Sequence, residues 1–358
     1  MPEKRTTIYD IAEEFKVSAS TITRALNGKA GVNEELRRQI MARAAEMGYR
    51  TNRLAKSLTR GKIKIGVIIN NRFPEFHVQV VEGAKRAAEE LADFNVEGEY
   101  LLLSRADLHN SVIREARRMA DEGCDGIIFV PGDHHSYNDI VEELTDRNIA
   151  VGTVIVQSDD PKVVFSVYPN SVRAGMLAAD LFNINGMKSG DEFMIAIGFE
   201  YLDVHQGCID GFRARAERYG YRISSIIRHY DEPEVAYRLV RQSLIEIPAI
   251  RGIYCGTALS APVCRAVEEL GRKDIRVVGT EITRDLLPYM EKGMAIATLF
   301  QDPFQQGKKA FKAMYEYIEN GAVKDGRRIE INPKIVLPSN YDFYNKFYER
   351  SVEEKQTE

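Results

Sequence analysis

The sequence predicts a multidomain protein in which a small three-helix helix-turn-helix module precedes a much larger α/β body built on parallel sheets. Three observations carry this. The chain has 358 residues, beyond the roughly 250–300 at which a single hydrophobic core stops growing. Its charge is unevenly spread: residues 1–62 hold 13 Lys and Arg against 7 Asp and Glu, a net of +6, whereas the rest hold 36 against 46, a net of −10, within an overall −4. At Lys64 the apolar pattern changes from helical spacing to short apolar runs alternating with amphipathic stretches.

Composition narrows the function classes. Hydrophobic residues at 44% and charged residues at 28% are ordinary for a globular protein. The charged N-terminus and the lack of any apolar run near the roughly 18 residues of a spanning helix predict neither signal peptide nor membrane anchor, and hence a cytoplasmic protein. Cys124, Cys208, Cys255 and Cys264 show no CxxC spacing, which predicts reduced, mostly buried thiols and no metal site. A cationic module on an acidic body reads as nucleic-acid binding, because phosphate neutralisation supplies most non-specific affinity.

The first sixty residues justify the helical module. Thr7 to Asp10 has the form of a capping box, followed by Ile8, Ile11, Ala12 and Phe15 on one apolar face. About three residues later Ser18 can cap a second helix whose Ile22, Ala25 and Leu26 face inward and which stops near Asn27-Gly28. Val32 and Asn33 offer a staple and a cap for a third helix carrying Leu36, Ile40, Ala44 and Met47. The outward face of the second helix carries Ala19, Ser20, Thr21, Thr23 and Arg24, short enough to approach base edges. Residues 50–60 are basic and could form little more than two helical turns capped by Asn52, marginal alone in water and expected to order against DNA or a partner chain.

The blocks TIYDIAEEFKVSASTITRALN, GYRTNRLAKSL and IGVII, in that order, resemble the opening of the lactose/galactose-repressor (LacI/GalR) family of transcriptional regulators. The resemblance implies a recognition helix from Ser18, with Ala19, Ser20 and Thr21 reading bases in the major groove. Thr7, Tyr9, Ser18, Thr23, Arg24 and Asn27 would hold phosphates or register. Residues 52–58 would be a hinge helix, with Asn52 at its start, Ala55 packed beside Leu58, and Leu58 intercalating in the minor groove. Thr51 departs from the proline common before the hinge asparagine.

From Lys64 onward, residues 65–69, 99–103, 126–130, 151–156, 193–197, 252–255 and 276–279 read as buried strands, with a helix over about 75–91 after the first. A parallel sheet covered on both faces follows. The sequence holds no GxGxxG after a strand, no P-loop, no GxSxG and no HExxH, so no cofactor and no catalysis are expected. His134-His135 read as polar loop residues.

The resemblance extends to about residue 340 and implies a periplasmic-binding-protein-like domain of two lobes joined by three crossings, with a ligand in the cleft. The expected organisation is 1–60 for the DNA-binding module and hinge, 61–182 with 302–328 for lobe one, 183–301 with 329–342 for lobe two, and 343–358 for a charged tail. The positions matching effector contacts are Asn70, Asn71, Phe76, His77, Asn170, Cys208, Gly256, Glu281 and Gln301. Amides, a carboxylate and an aromatic face suit a neutral polyhydroxy ligand, a sugar or polyol. Cys208 stands where an arginine is common, Gly256-Thr257 where Asn-Asp is frequent, and Glu281 lengthens the usual aspartate. Near-palindromic double-stranded operator DNA and a homodimer are the expected partners. The tail lacks heptads for a tetramerising coiled coil. The competing readings are a small-molecule binding protein or an enzyme on the same α/β fold without a DNA role.

Overall fold

A computed structural model of the chain describes residues 7–26, 31–47, 61–71, 73–103, 108–131 and 137–344. It divides into two compact units at Lys62 and Ile63.

The N-terminal unit holds α1 (Ile8–Phe15), α2 (Ala19–Leu26) and α3 (Glu34–Glu46). Each begins on the cap the sequence offers. The Thr7 hydroxyl accepts the Asp10 amide, and the Asp10 carboxylate accepts the Thr7 amide at 2.6 Å. The Ser18 hydroxyl accepts the Thr21 amide at 3.1 Å, and the Asn33 side chain accepts the Glu35 amide at 2.8 Å. Ile11, Ala12, Ile22, Ala25, Ile40 and Ala44 form the buried core, with Phe15, Leu26, Leu36 and Met47 packed around it. So small a core leaves little stability in reserve. The expected hinge at Asn52, Ala55 and Leu58, together with Asn27, His134 and His135, lies outside the described residues.

The larger unit opens with β1 (Ile63–Asn70), α4 (Pro74–Glu90), β2 (Val96–Leu103), α5 (Leu108–Asp121), β3 (Gly126–Phe129), α6 (Asn138–Asp146), β4 (Ala150–Val154) and β5 (Phe165–Pro169). It crosses to a second lobe with α7 (Ser171–Ile184), β6 (Glu192–Ile197), α8 (Asp203–Tyr219), β7 (Arg222–Arg228) and α9 (Pro233–Glu246). That lobe continues with β8 (Ile250–Cys255), α10 (Ser260–Glu269), β9 (Arg276–Thr280), α11 (Leu287–Glu291) and β10 (Ala295–Phe300). The chain then returns with α12 (Pro303–Asn320) and β11 (Arg328–Ile331), and crosses once more to β12 (Lys334–Val336).

The first sheet runs β11-β5-β4-β3-β1-β2, all parallel. The second runs β12-β10-β9-β8-β6-β7, parallel except for β12 on β10. Helices bury both faces, which is why the central strands read as unbroken apolar runs. In lobe one, Val112, Met119, Ile140 and Leu144 of α5 and α6 pack on Ile127, Phe129 and Val151. In lobe two, separate clusters cover the two faces of the sheet.

Three crossings join the lobes, between β5 and α7, between β10 and α12, and between β11 and β12. The first and third boundaries differ from the sequence expectation, which places residues 171–182 in lobe one and 329–331 in lobe two. Ala174, Ala178 and Phe182 of α7 pack instead on Phe193, Ile195 and Phe212 of lobe two. Ile329 and Ile331 pair with Val167 and Pro169 in the first sheet. For β11 the strand that decides membership is about 160 residues away, whereas α7 packs on strands and a helix that follow it in the chain. All four cysteines are buried and unbridged. Among the described residues, no helix is long and apolar enough to cross a membrane.

Candidate functional site: a polar helix face and an interlobe cleft

The exposed face of α2 is a hydroxyl cluster followed by a cation. The Ser18 hydroxyl lies 2.7 Å from that of Ser20 and 2.9 Å from that of Thr21. The Thr23 hydroxyl donates to the Ala19 carbonyl at 2.8 Å. Thr23 and Arg24 are exposed, as is Tyr9 on α1 at 73%. Ile22 and Ala25 hold this face outward by burying the opposite stripe. The Thr7 hydroxyl, expected at phosphate, is engaged in the cap of α1.

In the larger unit, a cavity of about 570 Å³ opens between the lobes. Its walls come from the segments that follow the C-terminal ends of β1, β3 and β4 on lobe one and of β6 through β10 on lobe two. Open α/β sheets bind ligands at this place. The chain bends sharply there: Ile155, Tyr230, Asp231, Glu281 and Asp302 all have left-handed backbone, with φ of 72°, 57°, 57°, 68° and 53°. Such conformations cost non-glycine residues about 1–3 kcal/mol each and concentrate at functional sites.

Of the expected effector residues, Asn70, Phe76, His77, Gly256, Glu281 and Gln301 line this cleft. Three do not. Asn170 caps α7, its carbonyl accepting the Arg173 amide at 2.9 Å and its NH2 donating to Glu330 at 2.7 Å. Cys208 is fully buried behind Gly256, where its thiol is pushed up to about 11 by burial. Asn71 is not among the residues that line the cleft; its backbone N–H donates to the Leu103 carbonyl.

The cleft also gathers residues that sequence reasoning did not single out. Phe73, His109 and Tyr137 belong to lobe one; Tyr201, His205, Asp231 and Thr257 belong to lobe two. The two lobes repeat one device. His77 Nδ1 lies 3.0 Å from both the amide nitrogen and the carbonyl oxygen of Phe73, and His205 Nδ1 lies 2.9 and 3.0 Å from those of Phe199. Either imidazole tautomer finds a backbone partner there, which fixes each ring at a helix start. A phenylalanine four to six residues before a histidine is the sequence trace of this device.

On lobe two, Gly198 lets Asp231 and His205 close against the backbone. A Cβ there would lie 2.2 Å from Asp231 Oδ1 and 2.7 Å from His205 Cε1. Behind them, His229 is wholly buried, its Nδ1 accepting the Asp231 amide and its Nε2 3.1 Å from the Thr257 hydroxyl. Burial, aided by the nearby His205, pushes its pKa down to about 3, so it is a neutral donor that orients Thr257. Glu281 is buried; its Oε1 accepts the Gln301 amide at 3.1 Å and its Oε2 lacks a hydrogen-bond partner. Burial, with Asp302 close by, pushes this carboxyl up to about 8 despite the amide.

A helix-turn-helix joined to a two-lobed α/β domain with a polar and aromatic cleft defines a DNA-binding protein with a ligand-binding domain. Residues 7–52 match the family of bacterial regulatory proteins of the lacI type, and residues 65–322 match the periplasmic binding protein domain family. The chain belongs to the LacI family and is a DNA-binding transcriptional regulator.

It is 24% identical over 322 residues to the HTH-type transcriptional regulator RegA of Clostridium saccharobutylicum, covering 87% of this chain and 92% of that one. It is 23% identical over 342 residues to the HTH-type transcriptional repressor PurR of Klebsiella pneumoniae, covering 92% and 95%. Among solved structures it resembles GanP, a glucose-galactose binding protein from Geobacillus stearothermophilus, with TM-score 0.69, 24% identity and coverage of 78% and 99%. It also resembles the Caulobacter myo-inositol binding protein, with TM-score 0.67, 18% identity and coverage of 78% and 95%. These structural likenesses concern the fold of the larger unit.

Proposed function

We propose that this regulator is a cytoplasmic homodimer that represses carbohydrate-utilisation genes and releases or grips its operator according to a small sugar-like effector in the interlobe cleft. The observation that carries the reading is the cleft itself, with polar side chains and aromatic faces at strand ends of both lobes, in one chain with a DNA-binding module. Polar groups fix the orientation of a polyhydroxy ligand, and aromatic faces take its CH surfaces. The sugar- and inositol-binding neighbours named above support that ligand class.

On the DNA side, Ala19, Ser20 and Thr21 face base edges, while Ser18, Thr23 and Arg24, with Tyr9 on α1, contact phosphates. Two copies related by a two-fold axis set their α2 helices in successive major grooves of a near-palindrome, and the paired segments around Asn52, Ala55 and Leu58 meet the minor groove between them. Asn70, Phe76, His77, Gly256, Glu281 and Gln301, together with His205, Asp231 and Thr257, hold the effector. Closing the cleft rotates one lobe against the other about the three crossings. Because ligand and DNA then favour particular arrangements of one dimer, each changes the affinity for the other by the same factor.

The test selects an operator from a random duplex pool with the full chain and then measures its anisotropy titration with and without candidate effectors. A change in operator Kd that saturates with one ligand, matched by an equal change in that ligand's Kd when operator is present, is the expected result. Operator affinity indifferent to every ligand that binds the protein would remove the sensor half of the proposal. A transport-type role for the same domain is disfavoured by the residues 7–52 that match a DNA-binding family.

A further inference from the structure

A hydroxyl has two lone pairs and one proton, and at Thr257 the protein fills both lone pairs. Thr257 follows β8 on the lobe-two wall of the cleft and is 5% exposed. Behind it lies the wholly buried His229, with Nε2 3.1 Å from the Thr257 hydroxyl, and the Leu259 amide donates to the same oxygen at 3.4 Å. The role of the imidazole is set from its other side, where the Asp231 amide donates to Nδ1 at 3.1 Å. A ring nitrogen that accepts carries no proton, so the proton of the neutral ring is on Nε2 and His229 donates to Thr257.

The backbone is bent to hold this arrangement. Tyr230 and Asp231 are consecutive non-glycine residues in the left-handed region, each with φ of 57°, a strained conformation that persists only where its surroundings enforce it. The turn they make carries the Asp231 amide back onto the imidazole two residues earlier. For the Thr257 proton, by contrast, the described residues offer only the Cys255 sulfur, at 3.7 Å. Sulfur is a weak acceptor, and the thiol's own proton goes to the Thr257 carbonyl at 3.5 Å. A buried hydroxyl proton without an oxygen to receive it is unfavourable, and the cleft is the side left open to it.

On the reading that the cleft is the effector site, we infer that Thr257 is an obligate proton donor to the effector, that His229 is the positioning residue which makes it so, and that the effector is a polyhydroxy compound with an oxygen acceptor at the carbon that meets Thr257. A hydroxyl, ring or carbonyl oxygen there takes the proton; a hydrogen atom, or an ammonium that has donors only, does not. Deoxy and amino compounds altered at that carbon are thereby rejected, because each leaves the Thr257 proton unpaired in a buried wall. His229 imposes this choice from behind Thr257, without touching the effector.

The experiment is calorimetric titration of the full chain with glucose, galactose and myo-inositol, each beside its monodeoxy and monodeoxyfluoro derivatives, since fluorine accepts weakly and donates nothing. At one carbon of a parent that binds, the deoxy compound should bind at least about tenfold more weakly, the ratio for leaving a buried donor unpaired, and the fluoro compound should recover at least about threefold of that loss. Thr257→Val should bring the deoxy and fluoro compounds to parity at that carbon. His229→Leu, which returns a lone pair to Thr257 and lets its hydroxyl turn, should do the same, whereas His229→Gln, whose amide still donates, should keep the difference. A merely structural His229 would lower all affinities alike, and that result overturns the inference. The tautomer is read without any variant in a long-range proton–nitrogen NMR spectrum of the unaltered chain: a proton on Nε2 is expected, and one on Nδ1 overturns the inference. Deoxy and fluoro compounds equal at every carbon overturn it while leaving the cleft a sugar sensor. No saturable binding by any parent overturns it too, and the operator titration above then decides the sensor reading independently.

Discussion

Glu281 and His229 are both buried in lobe two and both kept neutral by burial, yet they tilt stability with pH in opposite directions. The Glu281 carboxyl is pushed up to about 8, so the folded protein keeps a proton that the unfolded chain releases above its ordinary carboxylate range, and stability falls as pH rises toward 8. His229 is pushed down to about 3, so the unfolded chain alone takes up a proton below about 6.5, and stability falls as pH drops. Their slopes oppose each other in mildly acidic solution, and above about pH 6.5 that of Glu281 stands alone of the two. The ligand-free protein should therefore lose up to about 2 °C of Tm per pH unit from 6.5 to 8. Glu281→Gln should flatten this limb in a scanning-calorimetry series; equal slopes in both proteins would place the proton elsewhere. At this scale the sequence located residues at or just past strand ends, such as Asn70, Glu281 and Gln301, because strand ends define the cleft. It misplaced Cys208 and missed His205, three residues earlier on the same helix, because the phase of α8 depends on where Gly198 and Gly256 lie.

Each lobe is assembled around a helix pair brought close by glycine. In lobe one a Cβ on Gly83 would lie 1.9 Å from the Phe304 carbonyl oxygen, and one on Gly307 would lie 1.8 Å from that of Val80, so α4 and α12 touch through their backbones. In lobe two a Cβ on Gly211 would lie 1.9 Å from the Val172 carbonyl oxygen, and one on Gly175 would lie 2.2 Å from that of Cys208. Backbone cannot yield as a flexible side chain can, so Gly211→Ala must drive α7 and α8 apart. A loss of about 1–3 kcal/mol is expected, read as a lower urea midpoint with little change in slope. An unchanged midpoint would mean that α7 does not pack there, and would reopen the lobe boundary at residue 170. These contacts also explain what was legible among the elements. The long apolar runs of β1, β6, β8 and β9 announced themselves, being buried on both faces. β7 (RISSIIR), at the edge of its sheet and half-exposed, and β5 (FSVYP), ending in proline, carry weaker patterns. The membership of β11 was invisible because pairing with β5 across some 160 residues leaves no local trace, and that of α7 because its apolar stripe does not say which sheet it covers.

For the whole molecule, the charge division sets how the regulator searches and how it stops. A +6 module on a −10 body binds any duplex by releasing counterions, whereas recognition needs groups that meet bases or deform a step. Arg24 is exposed at the end of α2, and the proposed function places it in the first class. Arg24→Ala should weaken binding to operator and to random duplex alike, and should flatten the logarithmic salt dependence by about one unit. The proposed function places Leu58, in the basic stretch of sequence that follows the module, in the second. Leu58→Ala should weaken operator binding roughly tenfold or more while leaving affinity for random duplex and its salt slope in place, since no phosphate contact is removed. Anisotropy titrations of both variants at several salt concentrations, on operator and random duplex, separate the two roles. If Leu58→Ala lost both kinds of binding equally, the segment would be an electrostatic arm rather than a wedge. If Arg24→Ala changed preference at one base position alone, α2 would read sequence through its cation as well as its hydroxyls.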